Sequence, residues 1–226
     1  MTTPSPFDRI DRESHHAQAR QAIDKGDLAL ARDQLDRAER QARELKQYSI
    51  RWIAELLSWI GETEGEAAVE PALRKFGERN LAERATPEHD WWSVPAEARA
   101  KVVARGMLAN GADIELSEDD EKIVMSFRCG SGGCLVDSGA YDGPDGLLTL
   151  TESGPQTFGR DSMWVYCAHC SVNNEIQAVE STGRLTSVEF PPERAGEPCV
   201  HHVYRDLDDI PEEIYVRIGK TKPAVS

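Results

Sequence analysis

The sequence predicts an α+β fold: an N-terminal antiparallel helical layer reaching about residue 110, then a C-terminal antiparallel β unit organised around a cysteine metal site. Three observations carry this reading. Apolar residues recur at three- and four-residue spacing up to about residue 110, short apolar stretches broken by Gly, Pro, Asp and Ser follow from 111 on, and all five cysteines lie in that second half.

Each helix has its own signals. Residues 14–25 lead to Gly26-Asp27, a helix stop followed by an N-cap residue type, and Leu28, Ala31, Leu35, Ala38, Ala42 and Leu45 then form one apolar stripe. Tyr48, Trp52, Ile53, Leu56, Leu57, Trp59 and Ile60 continue it with a wider apolar face, which Gly61 is expected to end. A further helix is expected over 66–84 on Val69, Leu73 and Phe76. Another is expected over 95–109, started by Ser93 and Pro95 and stopped by Asn110-Gly111. Between them His89-Asp90-Trp91-Trp92 reads as domain-junction packing or as an indole loop that closes over the metal region. The spacing Ala22, Gly26, Asp27, Ala31 resembles one turn of a tetratricopeptide hairpin, without a second copy near a 34-residue period.

The second half reads as strands 122–127, 147–151, 163–166, 185–190 and 200–204, with loops 128–146, 152–161 and 191–198, and a helical turn near Ile210-Pro211. Glu118-Asp119-Asp120-Glu121 reads as a solvated turn, lacking the spacing of a calcium loop. The domain division that follows is 1–110, helical, and 111–226, cysteine-rich.

Charge narrows the function classes. Residues 1–110 carry 17 basic and 19 acidic side chains, whereas residues 111–226 carry 9 and 21. A cysteine module this acidic is poorly suited to gripping nucleic acid, whose phosphates call for Lys and Arg. No apolar run approaches a membrane span and the polar start has no signal-peptide core, so a cytoplasmic protein is expected, where clustered cysteines bind metal more often than they form disulfides.

Cys129, Cys167, Cys170 and Cys199 have the spacing of a tetrahedral zinc site, with Cys167-Ala168-His169-Cys170 as its centre. The split pairs are similar to a zinc ribbon in that spacing alone. An iron–sulfur cluster is the alternative cofactor, although the compact ferredoxin run is missing. A redox dithiol at 167–170 is disfavoured, because the polar Ser171-Val172-Asn173-Asn174 after it does not look like the helix such a motif opens. Cys134 is one ligand too many for a Cys₄ site: it is expected to be a buried apolar residue, with replacement of Cys129 in the ligand set as the alternative.

Around these ligands the candidates for chemistry are His201, His169 and Glu175. His201 shares a strand face with Cys199, while His202 faces the other way. Glu175 is read as a general base beside a metal-bound water or as a solvent-facing carboxylate. The loop Gly130, Ser131, Gly132, Gly133 can cradle an anionic group with its backbone N–H groups, or simply be a tight turn that brings a thiolate to the metal. Two function classes follow. One is a zinc-dependent hydrolase or lyase acting on a small polar or carboxylated substrate. The other is a binding or adaptor protein with a structural Cys₄ zinc, open to homo-oligomer formation through the helical region.

Overall fold

The computed structural model describes residues 13–84 and 93–224, with side chains of the first span up to 78. The expected indole loop at 89–92 lies outside the described residues. In chain order the elements are α1 (His15–Asp24), α2 (Leu28–Glu64), α3 (Val69–Arg84), α4 (Ala96–Ala109), β1 (Ile114–Glu118), β2 (Lys122–Phe127), α5 (Gly132–Asp137), β3 (Thr149–Leu150), β4 (Met163–Trp164), a π-helical segment Cys170–Ile176 running into α6 (Gln177–Thr182), β5 (Val188–Phe190), β6 (Cys199–Tyr204) and α7 (Glu212–Val216). Helices and an antiparallel sheet ordered β1-β2-β6-β5 make this an α+β fold. No helix among the described residues is long and apolar enough to cross a membrane.

The chain divides into two compact units, one ending at Ser49 and one starting at Ile50. The helical residues from 50 to 109 therefore belong with the sheet, and α2 runs through both units. In the first unit Ser14 caps α1 through Ala17 N–H, Gly26 supplies the left-handed turn at φ 73°, and Asp27 Oδ1 caps α2 by accepting from Leu30 N–H at 3.0 Å. The buried apolar residues of this hairpin are small, Ala19, Ala22, Ala31 and Ala38, and beside them the buried Gln34 has its Oε1 2.8 Å from His15 Nδ1. Leu28, Leu35 and Leu45 of the expected stripe are instead exposed, because the helical arc they span is wider than the alanine face that is covered.

The same correction applies further along α2. Ile50, Ala54, Leu57 and Ser58 are buried, whereas Trp52, Leu56 and Trp59 lie on the exposed side. Gly61 does not end the helix, which continues to Glu64 and stops at Gly65, whose φ is 91°. Gly61 serves packing instead: a Cβ there would stand 2.3 Å from Leu148 Cδ2. Ser58 Oγ, beside it, accepts from Leu148 N–H at 2.9 Å.

The main core of the second unit joins Leu57, Val69 and Leu73 to Leu150, Val165, Val172, Ile176, Val188 and Tyr215. On the other face of the sheet, Ala96 and Ala100 of α4 pack on Ile123, Met125 and Val203. The pleat explains the division, since β6 alternates with Cys199, His201 and Val203 on the α4 side, and Val188 of β5 turns to the main core. Arg99 clamps α4 down: its guanidinium donates to the carbonyls of Val94, Thr186, Tyr204 and Arg205 at 2.6–3.3 Å.

Three elements depart from the expected strand-and-loop pattern. β1 is an edge strand, mostly exposed, whose two apolar residues, Ile114 and Leu116, alternate with polar ones over too short a stretch to have been read as a strand. The acidic turn after it is a hairpin turn in which Asp119 Oδ1 accepts from Glu121 and Lys122 N–H. The loop 128–146 contains α5, and a continuous helical stretch follows Cys170 where polar loop was expected. Two of its polar side chains tie it to α3: Asn173 Nδ2 donates to Leu73 O and Gln177 Nε2 to Arg74 O.

Candidate metal centre and adjoining cleft

Four separate segments bring the predicted cysteines together. Cys129 follows β2, Cys167 ends a short 3₁₀ turn after β4, Cys170 opens the π-helical segment, and Cys199 begins β6. The β2–β6 register pairs Phe127 with Cys199, which sets the β6 cysteine beside the chain leaving β2. None of the five cysteines forms a disulfide; Cys167 and Cys199 are buried and the others half-buried.

The electrostatics of the four are coupled. The Cys199 thiol hydrogen-bonds to Cys129, and with the Ser131 hydroxyl and the N–H groups of Gly133 and Ser131 it outweighs burial and pushes Cys129 down to about 5. Cys199 is raised by the same hydrogen bond first, then by burial and by charge on Cys129, Cys170 and Cys167. Burial, followed by the Cys129 charge, pushes Cys167 up to about 12. Cys170 is raised well above an ordinary thiol by burial and then by Glu189. Cys199 thus favours the thiolate of Cys129, whose charge in turn opposes ionisation of Cys167, Cys170 and Cys199, and a cation among them would relieve that opposition. Among the described residues, however, no group of three or more His, Cys, Asp or Glu side chains forms a ready-made metal cage.

The glycine loop sits against this cluster. Ser131 and Gly133 turn their N–H groups to the Cys129 sulfur, and a Cβ on Gly132 would stand 2.8 Å from Cys167 Sγ. Gly130 through Gly133 therefore act as the tight turn that lets two thiols approach, and the N–H donors expected for an anion are directed at a cysteine. Cys134 lies on α5, its N–H bonded to Cys129 O.

The candidates for chemistry separate. His169 is beside the cluster: Nδ1 is 2.6 Å from Tyr166 O and Nε2 is 3.6 Å from Cys170 Sγ. His201 is buried on the Cys199 face, packed against Phe127 with ring centroids 5.1 Å apart, while His202 on the opposite face stacks on Phe190. Glu175 is not a solvent-facing carboxylate. It is fully buried, with Oε1 accepting from Arg217 Nη2 and Glu189 N–H, both at 2.6 Å. Arg217 is itself held between the rings of Phe158 and Phe190. Burial pushes Glu175 up to about 8 against the opposing pull of Arg217.

The carboxylate next to the thiols is Glu189, a residue the sequence reading missed. Its side chain hydrogen-bonds with Cys170, Oε2 accepts from Asn174 Nδ2 at 3.2 Å, and Oε1 is 3.8 Å from His201 Nδ1. The available signal was a lone Glu between Val188 and Phe190 on a short apolar strand. Asn174, Glu189 and His201 line a cleft of about 370 Å³ whose opposite wall is α4. No protein-family model, curated protein or solved structure matches the chain.

Proposed function

We propose that the chain is a zinc-binding protein in which Cys129, Cys167, Cys170 and Cys199 hold one ion as a closed, structural site. The coupling of these four thiols, with two backbone N–H donors already directed at one of them, is the observation that carries the reading. An all-thiolate shell carries a formal charge of about −2 and leaves no position for water, so it ties segments together and is a weak Lewis acid. Here it would join the exit of β2, the turn after β4, the π-helical segment and β6, of which the last two line the inner wall of the cleft through Asn174 and His201. Function then lies in what that wall binds, the role of a binding protein or adaptor.

Metal analysis of protein purified without added metal, followed by cobalt substitution, tests this. About one zinc per chain and the absorption of a tetrahedral cobalt–thiolate centre are expected, lost in Cys167→Ser and Cys170→Ser and kept in Cys134→Ser. Metal-free protein with four readily titrated thiols, or loss of metal in Cys134→Ser with retention in Cys129→Ser, would refute it. An iron–sulfur cluster would appear in the same experiment as iron, sulfide and visible colour.

A second reading, a zinc-dependent hydrolase or lyase, is favoured by one observation: His201 lines the cleft on the same strand face as Cys199. It requires a shell with one water position. Turnover of small amides, esters or carboxylated compounds that falls about 10²- to 10⁴-fold in His201→Ala, with metal retained, would support it.

A further inference from the structure

We propose that β1 is a docking edge for a second copy of this chain: two β1 strands pair antiparallel about a two-fold axis at Leu116, joining two four-stranded sheets into one. The inference goes beyond the metal reading and does not depend on it.

β1 is the outer strand of the order β1-β2-β6-β5, and among the described residues no strand lies on its other side. The hairpin turn fixes which backbone groups face that way. Asp119 N–H donates to Lys122 O at 3.0 Å, and bonded and non-bonded pairs alternate along an antiparallel ladder. In the β1–β2 register the bonded pairs are therefore Ser117 with Val124 and Glu115 with Ser126. Ile114, Leu116 and Glu118 turn their N–H and C=O groups outward, a row of donors and acceptors ready for another strand.

The surface beside this edge sets the occupant. A groove of about 340 Å³ between α4 and β1 is walled by Ala100, Ala104, Leu116, Ile123 and Met125, and Lys101 lines it too. Leu116 is 67% exposed. An extended segment with apolar residues at alternate positions and acidic ones among them suits such a wall, and β1 itself, Ile-Glu-Leu-Ser-Glu, is that segment.

The strand is also self-complementary. With Leu116 opposite the partner's Leu116, all three outward positions form bonded pairs, and Glu115 stands opposite the partner's Ser117. Slipping by two residues in either direction leaves two bonded pairs, and the slip toward Ile114 also sets Glu115 against the partner's Glu115. The like charges of Asp113 and the partner's Asp119 meet only past the strand ends, where Asp119 is turned into its own hairpin by Glu121 and Lys122 N–H. Residues directly opposite share a sheet face, so the partner's Leu116 lies on the α4 side, next to the apolar groove.

The test uses the full chain with its metal content measured, in sedimentation velocity and in hydrogen exchange, from micromolar to about half-millimolar concentration. The interface is small, so a monomer–dimer equilibrium at about tens to hundreds of micromolar is expected. Protection should rise with concentration at Ile114, Leu116 and Glu118 and stay constant at Glu115 and Ser117, whose N–H groups already bond β2. Leu116→Lys sets two cations face to face on the axis and should weaken the dimer at least about 10-fold, with exchange at Glu115 and Ser117 unchanged. Ser117→Lys gives Glu115 an opposite charge across the axis, twice by symmetry, and should tighten the dimer about 2- to 20-fold; it decides the matter if Leu116→Lys loosens β1. A dimer indifferent to both substitutions, or concentration-dependent protection elsewhere with none at the three edge amides, would overturn the proposal. A chain that stays monomeric throughout while an added acidic peptide protects those amides would overturn it in favour of a foreign strand.

Discussion

Glu175 shows how strongly burial reassigns a residue. Its carboxyl is pushed up to about 8, chiefly by desolvation, so over the interval above the ordinary value of 4.5 the folded chain holds a proton that the unfolded chain releases. The sign follows from linkage: the contribution is fully present below about 4.5 and is lost as pH rises toward 8. Unfolding in urea at pH 5, 6.5 and 8 should therefore show wild type losing stability relative to Glu175→Gln as pH rises. A difference that stays constant, or grows in favour of wild type, would place the carboxyl at or below its ordinary value.

At the scale of elements, α4 is held by one side chain as much as by its apolar face. Arg99 is buried, and desolvation lowers its pKa, yet it satisfies carbonyls of the loop before β5 and of the end of β6. Removing it leaves those carbonyls unpaired inside the fold. Arg99→Ala is expected to cost about 2–4 kcal/mol in urea unfolding. Hydrogen exchange in β6 near Tyr204 should rise with it, and a change below about 0.5 kcal/mol would mean that water replaces the clamp. The mostly exposed face of β1 behaves differently. Packing gives it little to specify, so its pairing with β2 rests on the Asp119 turn and the ladder itself.

For the whole molecule the cysteine cluster is the point at which three stretches distant in sequence, around 129, 167–170 and 199, converge. If an ion holds them, stripping it with a zinc chelator should lower the melting temperature of the unit that starts at Ile50 by roughly 10 °C or more. Amide protection should fall in β2, β6 and the residues 165–176, and stay unchanged in α1, which belongs to the other compact unit. Uniform loss of protection across both units would show one cooperative body, and no loss at all would remove the ion from the fold's stability.

Several features were determined by the sequence alone: the α+β class, the helices at 14–25, 66–84 and 95–109, the strand at 122–127 and the opposite facing of His201 and His202. Each rests on local periodicity or capping chemistry, which a short window contains. The four cysteines stood out as candidates because their spacing is itself the signal. Tertiary structure decided the rest. It chose alanines over leucines as the covered face of α2, let Gly61 stay inside a helix for the sake of Leu148, and turned the polar stretch after Cys170 into a helix whose side chains bond to α3 carbonyls. It also exchanged Glu175 for Glu189 as the carboxylate beside the thiols. These outcomes depend on which residue distant in sequence arrives next to which, and burial and partner charge then set the chemistry of each group, information that no window of the chain carries.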